Sequence, residues 1–292
     1  MITEPGPPVV GDDWTPSDHQ LRRVAFRRRR ARRSMVIALL STLIVVGLLG
    51  AGVLGSPGWP RVQQTFFNPA KAAEALPQVL TGLWLNIRVM LVCAVLIGII
   101  GLVLAIVRTL RGPVAFPFRL LATVYVDVFR GLPLLLVIFL LGFGAPALRL
   151  QGLPSSVLFW GCAALVLTYS SYVAEVFRAG IESVHPSQRA AARSLGLSHL
   201  QTLRHVVLPQ AVRRVLPPLM NDLVSLQKDS GLIAVLGVID AIRAAQISTA
   251  TDFNFTPYVV AGILFVCLTI PMARLTDWIA RKQGFHGAGG LV

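Results

Sequence analysis

Six stretches of this chain are apolar for longer than a helix in a water-soluble domain needs to be. Residues 35–54, 89–107 and 253–273 contain no charged side chain. An α-helix rises 1.5 Å per residue and the hydrocarbon core of a bilayer is about 30 Å thick, so roughly 20 apolar residues cross it. Residues 120–148, 153–179 and 216–239 are at least as long but hold a few polar groups. Inside hydrocarbon every backbone N–H and C=O has to be paired within the protein, and runs of this length do so as helices. The chain is 54% hydrophobic and only 14% charged, which excludes an ordinary soluble domain. The expected fold class is an all-α integral membrane protein with six transmembrane helices, the second over residues 82–107.

The charges orient these spans. Eight arginines (Arg22, Arg23, Arg27, Arg28, Arg29, Arg30, Arg32 and Arg33) stand directly before the first apolar run. Basic residues flanking short spans mark the cytoplasmic side. With both termini inside, the cytoplasmic face also receives Arg108, Arg111, Arg119, Arg189, Arg193, Arg204, Arg213, Arg214, Arg274, Arg281 and Lys282, against Arg61, Lys71, Arg88, Arg149 and Arg243 outside. The first run is too long for a secretory leader and lacks a small-residue cleavage site, so it is read as a retained helix. Residues 1–33 are expected to be a disordered basic cytoplasmic tail, 34–56 an extra helix, 56–77 a short outer segment and 283–292 a flexible tail. The net charge of +14 raises nucleic acid as a partner, but no folded binding module accompanies the arginines, and none is expected.

This topology puts residues 185–211, HPSQRAAARSLGLSHLQTLRHVVLPQA, in the cytoplasm. Pro186 suits the first position of a helix, where its missing N–H has no partner to lose. Gly196 is a C-terminal cap, and Ser198 with Gln201 forms a capping box for a second helix that Pro209 should stop or kink. Helices of two or three turns are not stable alone in water. Ala190, Ala191 and Ala192 give the first one a small-residue surface that admits a close partner.

Several polar groups sit inside the spans. Asp127 and Arg130 lie three apart, on one helix face, and are expected to pair; Gly131 and Pro133 should bend the helix beside them. Ser170, Ser171 and Tyr172 form a polar patch, followed by Glu175 and Arg178. Asn221, Asp222, Gln227, Lys228, Asp229 and Ser230 crowd one span, where ionisable groups are costly unless they face protein or water. Arg88, Tyr172, Glu175, Gln227, Lys228, Asp229 and Ser230 are the candidates for a substrate path. Cys93, Cys162 and Cys267 have no metal or disulfide spacing and are read as buried small apolar side chains, with no metal site expected.

Ala190-Ala191-Ala192, Gly196, Val206 and Leu208-Pro209 together resemble the EAA loop of ABC importer permease subunits, with Ala190 in place of the family's Glu and Val206 in place of its Ile. YVDVFRGLP, SSYVAEVFRAGI and LQKDSGL resemble the polar amino acid branch of that family. The resemblance implies a type I importer transmembrane fold over residues 78–282, a family core of five helices with the N-terminal helix added. It also implies a cytoplasmic coupling loop at 185–211 that docks through Ala190, Ala191, Ala192, Gly196, Leu208 and Pro209. The implied partners are ABC ATPase subunits, an extracytoplasmic amino-acid-binding protein and a second permease subunit, identical or related. No Gly-rich phosphate loop followed by Lys and Ser or Thr is present, so ATP and Mg are expected on the ATPase and no cofactor on this chain. The expected role is a translocation subunit in the bacterial cytoplasmic membrane, not an enzyme.

An alternative is an ion- or proton-coupled secondary transporter using Asp222, Lys228 and Asp229. Such proteins often carry internal repeats of broken helices, which this sequence lacks, and the loop at 185–211 would be without a role.

Overall fold

The computed structural model describes residues 17–110, 112–149 and 151–282. The expectations for residues 1–16, Arg111 and residues 283–292 lie outside them. Among the described residues every regular element is helical, and two units separate at residues 62 and 63.

The first unit holds α1 (Asp18–Leu54). It starts within the stretch expected to be disordered, so residues 18–33 are helical. The apolar run already carries the cost of nucleation, and propagation into arginine and alanine, both good helix formers, is cheap. None of its apolar window is buried.

In the second unit Asn68 caps α3 (Pro69–Thr109), its Oδ1 accepting from the backbone N–H groups of Ala70 at 3.0 Å and Lys71 at 3.3 Å. Much of the expected outer segment 56–77 is thus helix: α2 (Trp59–Phe66) and the start of α3, which continues through Pro77. Two stripes of α3 face inward. Ala75, Val79 and Leu83, at i, i+4 and i+8, pack with Ala241, Ala244 and Ala245 of α11 (Ala241–Asp252). One stripe further on, Val89, Met90, Cys93 and Ile97 meet Leu165, Val166, Tyr169 and Val173 of α7 (Val157–Glu182), which repeat the same spacing. Gly101 lets the two helices close, since a Cβ there would lie 2.7 Å from Val173 Cγ1. Cys93 is buried as expected, but Cys162 is only half-buried and Cys267 is exposed on α12 (Thr256–Lys282), which turns little of its surface inward.

The expected third span is two pieces. α4 (Phe116–Gly131) meets the segment Leu134–Ala147 at 104°. Leu132 is extended, at φ −90° and ψ 136°, because the residue before a proline is pushed out of helical geometry. The second piece comprises α5 (Leu134–Phe139), a π-helical turn (Leu140–Gly144) and α6 (Ala145–Ala147). The bend predicted from Gly131 and Pro133 is a full break.

After α7 come α8 (Pro186–Ser194), α9 (His199–Thr202), a π-helical turn (Leu203–Val207) and α10 (Leu208–Asp229). Pro209 opens α10 instead of stopping a helix, again at a position where its absent N–H has no partner to lose. Pro217 and Pro218 lie inside α10, which runs on past them. A 3-10 turn (Ser230–Leu236) leads to α11 at a bend of 49°. Among the described residues four helices are long and apolar enough to cross a membrane, and up to six segments are if each bent pair is one span.

Candidate functional site

The loop at residues 185–211 is built as a small rigid body. His185 caps α8, its Nδ1 accepting from the Ser187 N–H at 3.2 Å. At the other end Gly196 takes a left-handed φ of 82°; its N–H donates to the Arg193 carbonyl at 2.9 Å, and the Leu197 N–H donates to Ala192 at 3.2 Å. This is the paired bonding of a Schellman cap, which satisfies carbonyls the helix leaves open. The capping box follows at once. The Ser198 N–H donates to Gln201 Oε1 at 2.9 Å, and the Gln201 N–H donates to Ser198 Oγ at 3.3 Å. Two guanidiniums tie this region to the end of α7: Arg189 of the loop donates to the Ile181 carbonyl and Arg214 of α10 to the carbonyl of Ser183, the residue after α7. Both cations also sit at the negative end of a helix dipole. Gly180 lets α10 cross α7 here, since a Cβ on it would stand 2.1 Å from Val215 Cγ1.

The three alanines do not act as one surface. Ala192 is buried, while Ala190 and Ala191 are exposed. Helical spacing of about 100° per residue turns the third member inward. Leu208 and Pro209 are exposed as well, and Leu195 is 83% exposed. An apolar side chain held this open by a capped turn was not singled out in the sequence, although it stands next to Gly196.

The structure separates the remaining sequence candidates into groups. Glu175, expected in the substrate path, is held by cations of three helices: Arg178 of α7, Arg108 of α3 at 2.7 Å, and Arg130 of α4 at 3.9 Å. The expected Asp127–Arg130 pair is absent from the ion pairs among the described residues, because Arg130 turns to Glu175 and Asp127 is exposed. Gly131 and Pro133 form the break after this cluster. Arg88 is exposed on α3.

Those residues face different ways, as their adjacency requires. Gln227 is buried and its Oε1 accepts from Thr269 of α12 at 2.7 Å. Lys228 is exposed. Asp229 is half-buried and accepts from the Tyr169 hydroxyl of α7 at 2.7 Å; Tyr172 lies against that tyrosine, ring centroids 6.2 Å apart. Ser230 is buried and donates to the Gln227 carbonyl at 2.7 Å. Tyr169 was missed in sequence; its place four residues before Val173 on the buried stripe of α7 was the available signal.

A second missed feature is Asn86 with Asp240. Asn86 Nδ2 donates to Asp240 Oδ2 at 3.0 Å, and the Ala241 N–H donates to Asn86 Oδ1 at 3.1 Å, with both residues buried. Asp240 also caps α11 by accepting from the Arg243 N–H at 2.8 Å. This clamp joins α3 to the bend before α11.

Residues 97–284 match the family described as binding-protein-dependent transport system inner membrane component. The chain belongs to this family. It is 33% identical over 209 residues to the arginine transport system permease protein ArtQ of Bacillus subtilis (strain 168), covering 71% of this chain and 93% of that one. Among solved structures it resembles an amino acid ABC transporter crystallised with histidines, with a TM-score of 0.66 and 30% identity over 72% of this chain and 96% of that one. A methionine ABC transporter, MetNI, in an inward-facing conformation shares the fold at 19% identity and a TM-score of 0.55, over 70% of this chain and 95% of that one. The family match takes in the whole of the 185–211 loop, and the type I importer fold expected from the resemblance is the fold observed. The secondary-transporter alternative has no support in these likenesses.

Proposed function

We propose that this chain is the permease subunit of an ATP-driven importer of polar amino acids, coupled to a separate ATPase through residues 185–211. The observation that carries the coupling is the loop itself. Its first helix is capped at both ends and tied to α7 by Arg189, the start of α10 is tied to the residue after α7 by Arg214, and Ala190, Ala191, Leu195, Leu208 and Pro209 are exposed. A rigid lever with small and apolar residues on its free side suits docking into a cleft of a partner. Gly196 sets the turn between α8 and α9. Closure of two ATPases on ATP and Mg moves the loop as one body, and the Gly180 crossing passes that motion to α7 and α10.

The remaining assembly follows from the family and the charge pattern. A second permease subunit completes the path, an external binding protein delivers the substrate, and both termini face the cytoplasm. Tyr172, Gln227, Lys228, Asp229 and Ser230 stand at or beside the polar end of α10. They are the proposed path residues, together with Arg88; Glu175 serves as the hub that locks α3, α4 and α7. The amino acid class rests on the likeness to the arginine permease and to the amino acid transporter. Isolation from native membranes in mild detergent tests the reading. An ATPase with a phosphate loop should copurify with the wild-type chain and be lost from an Ala191→Glu variant that is itself fully recovered. A wild-type chain that purifies without any ATPase contradicts it.

A further inference from the structure

α1 stands outside the family match at residues 97–284, and neither the coupling loop nor the polar end of α10 uses it. Six of the seven residues from Arg27 to Arg33 are arginine, Ala31 being the exception. They belong to one unbroken helix with the charge-free run 35–54, and no Gly or Pro occurs between residues 18 and 46. The basic segment is therefore a stiff extension of the span rather than a tail that folds back. Arg30 and Arg33 are exposed, and none of the apolar window that follows is buried.

At 1.5 Å per residue these six positions occupy about 9 Å of helix. The polar layer outside a hydrocarbon core of about 30 Å is roughly 5–8 Å deep on each side, and the long arginine stem bridges the difference. Arg33 stands two residues before the charge-free run, so the segment begins where phospholipid phosphates are already densest. Helical spacing distributes the six positions around the whole axis, with no gap wider than about 100°. An acidic protein surface meets one face of a helix, whereas headgroups surround it. The chain has no acidic residue between Asp18 and Glu74, so no carboxylate lies three or four positions from any of the six. A guanidinium without such a neighbour is free to grip a phosphate through two N–H groups.

We infer that residues 27–33 form a collar that binds the phosphate headgroups of anionic phospholipids in the leaflet beside that end of α1. The collar holds anionic lipid next to the span and fixes the depth of α1 in the bilayer. It goes beyond the proposed import and stands independently of it.

The test reads lipid composition at the collar itself. A maleimide dye is attached at Ser34→Cys, an exposed position, in a Cys267→Ser background of the full chain. The protein is placed in phosphatidylcholine vesicles, and quenching by spin-labelled phosphatidylglycerol is compared with quenching by spin-labelled phosphatidylcholine at equal mole fraction. One arginine near an anionic surface corresponds to about a fivefold preference. Phosphatidylglycerol is expected to associate about fivefold more strongly at low salt. The preference should vanish in 1 M NaCl, where the screening length is about 3 Å. It should fall below about twofold when Arg27, Arg28, Arg29 and Arg30 are replaced by Gln, with Arg22, Arg23, Arg32 and Arg33 kept to orient the span. The salt series on the unsubstituted arginines decides the matter should that variant fail to insert. Equal quenching by the two lipids at low salt, or a preference that neither salt nor the substitutions reduce, overturns the collar. Displacement of phosphatidylglycerol by an added RNA oligonucleotide at equimolar concentration also overturns it, and makes nucleic acid the ligand.

Discussion

Replacing Asn86 with Ala removes the clamp between α3 and α11 at both of its ends. Two hydrogen bonds disappear, to Asp240 Oδ2 at 3.0 Å and from the Ala241 N–H at 3.1 Å, and both orphaned groups stay buried because Asp240 is 0% exposed. Each buried unsatisfied group costs about 1–3 kcal/mol, and a carboxylate more, so the loss is expected to be about 2–5 kcal/mol. For a unit of this size that corresponds to a fall on the order of 4–20 °C in thermal midpoint. The assay is thermal unfolding of the purified chain in mild detergent. Asp240→Ala in the Asn86→Ala background removes the orphaned carboxylate. The double variant should therefore be less destabilised than the sum of the two single ones, with a coupling of about 1–3 kcal/mol. A monodisperse Asn86→Ala protein whose midpoint moves by less than about 1 °C, against the several degrees expected from orphaned groups, refutes the reasoning.

Other substitutions probe the loop and the polar face. Gly180→Ala should destabilise by about 1–3 kcal/mol through its clash with Val215, and Val215→Ala should restore most of the loss; a double variant no better than the single one places the fault elsewhere. Gly196→Val forces a β-branched residue to a φ of 82° and should unfold the cap. Its readout is ATP hydrolysis, which should stop responding to substrate; normal substrate-stimulated hydrolysis would show that the turn geometry is irrelevant to coupling. Tyr169→Phe deletes the 2.7 Å bond to Asp229 and should weaken substrate uptake with little change in ATPase copurification, whereas unchanged uptake would remove Asp229 from the path.

The local grammar of the loop was legible because its signals are short-range. Pro186, Gly196 and the Ser198–Gln201 box each specify backbone geometry within four residues, and each is found in that geometry. The long apolar runs were legible for a similar reason, since hydrophobicity over a span is a sum over neighbours. Partner choice across the bundle was not. Asp127 and Arg130 have the spacing of a helical pair, yet Glu175 stands on the neighbouring α7 and takes Arg130, a competition invisible in either segment alone. Asn86 and Asp240 are 154 residues apart, and nothing in either local sequence announces the other. The depth of the bend at Leu132 and Pro133 was likewise underestimated, because a proline marks a weak point while tertiary packing sets how far it opens. Helical order over residues 18–33 was missed because a dense arginine run was weighed by its charge alone, without its continuity with the span that follows.

The central claim is that this chain moves its substrate by the work of a partner's ATP hydrolysis, transmitted through residues 185–211. Solute uptake by liposomes containing the purified complex tests it most directly, with the energy source as the variable. The account predicts uptake of a polar amino acid that requires ATP on the ATPase side and the liganded binding protein on the other, and that persists when ion gradients are collapsed. Uptake by this chain alone, driven by a proton or sodium gradient in the absence of ATP, would contradict it.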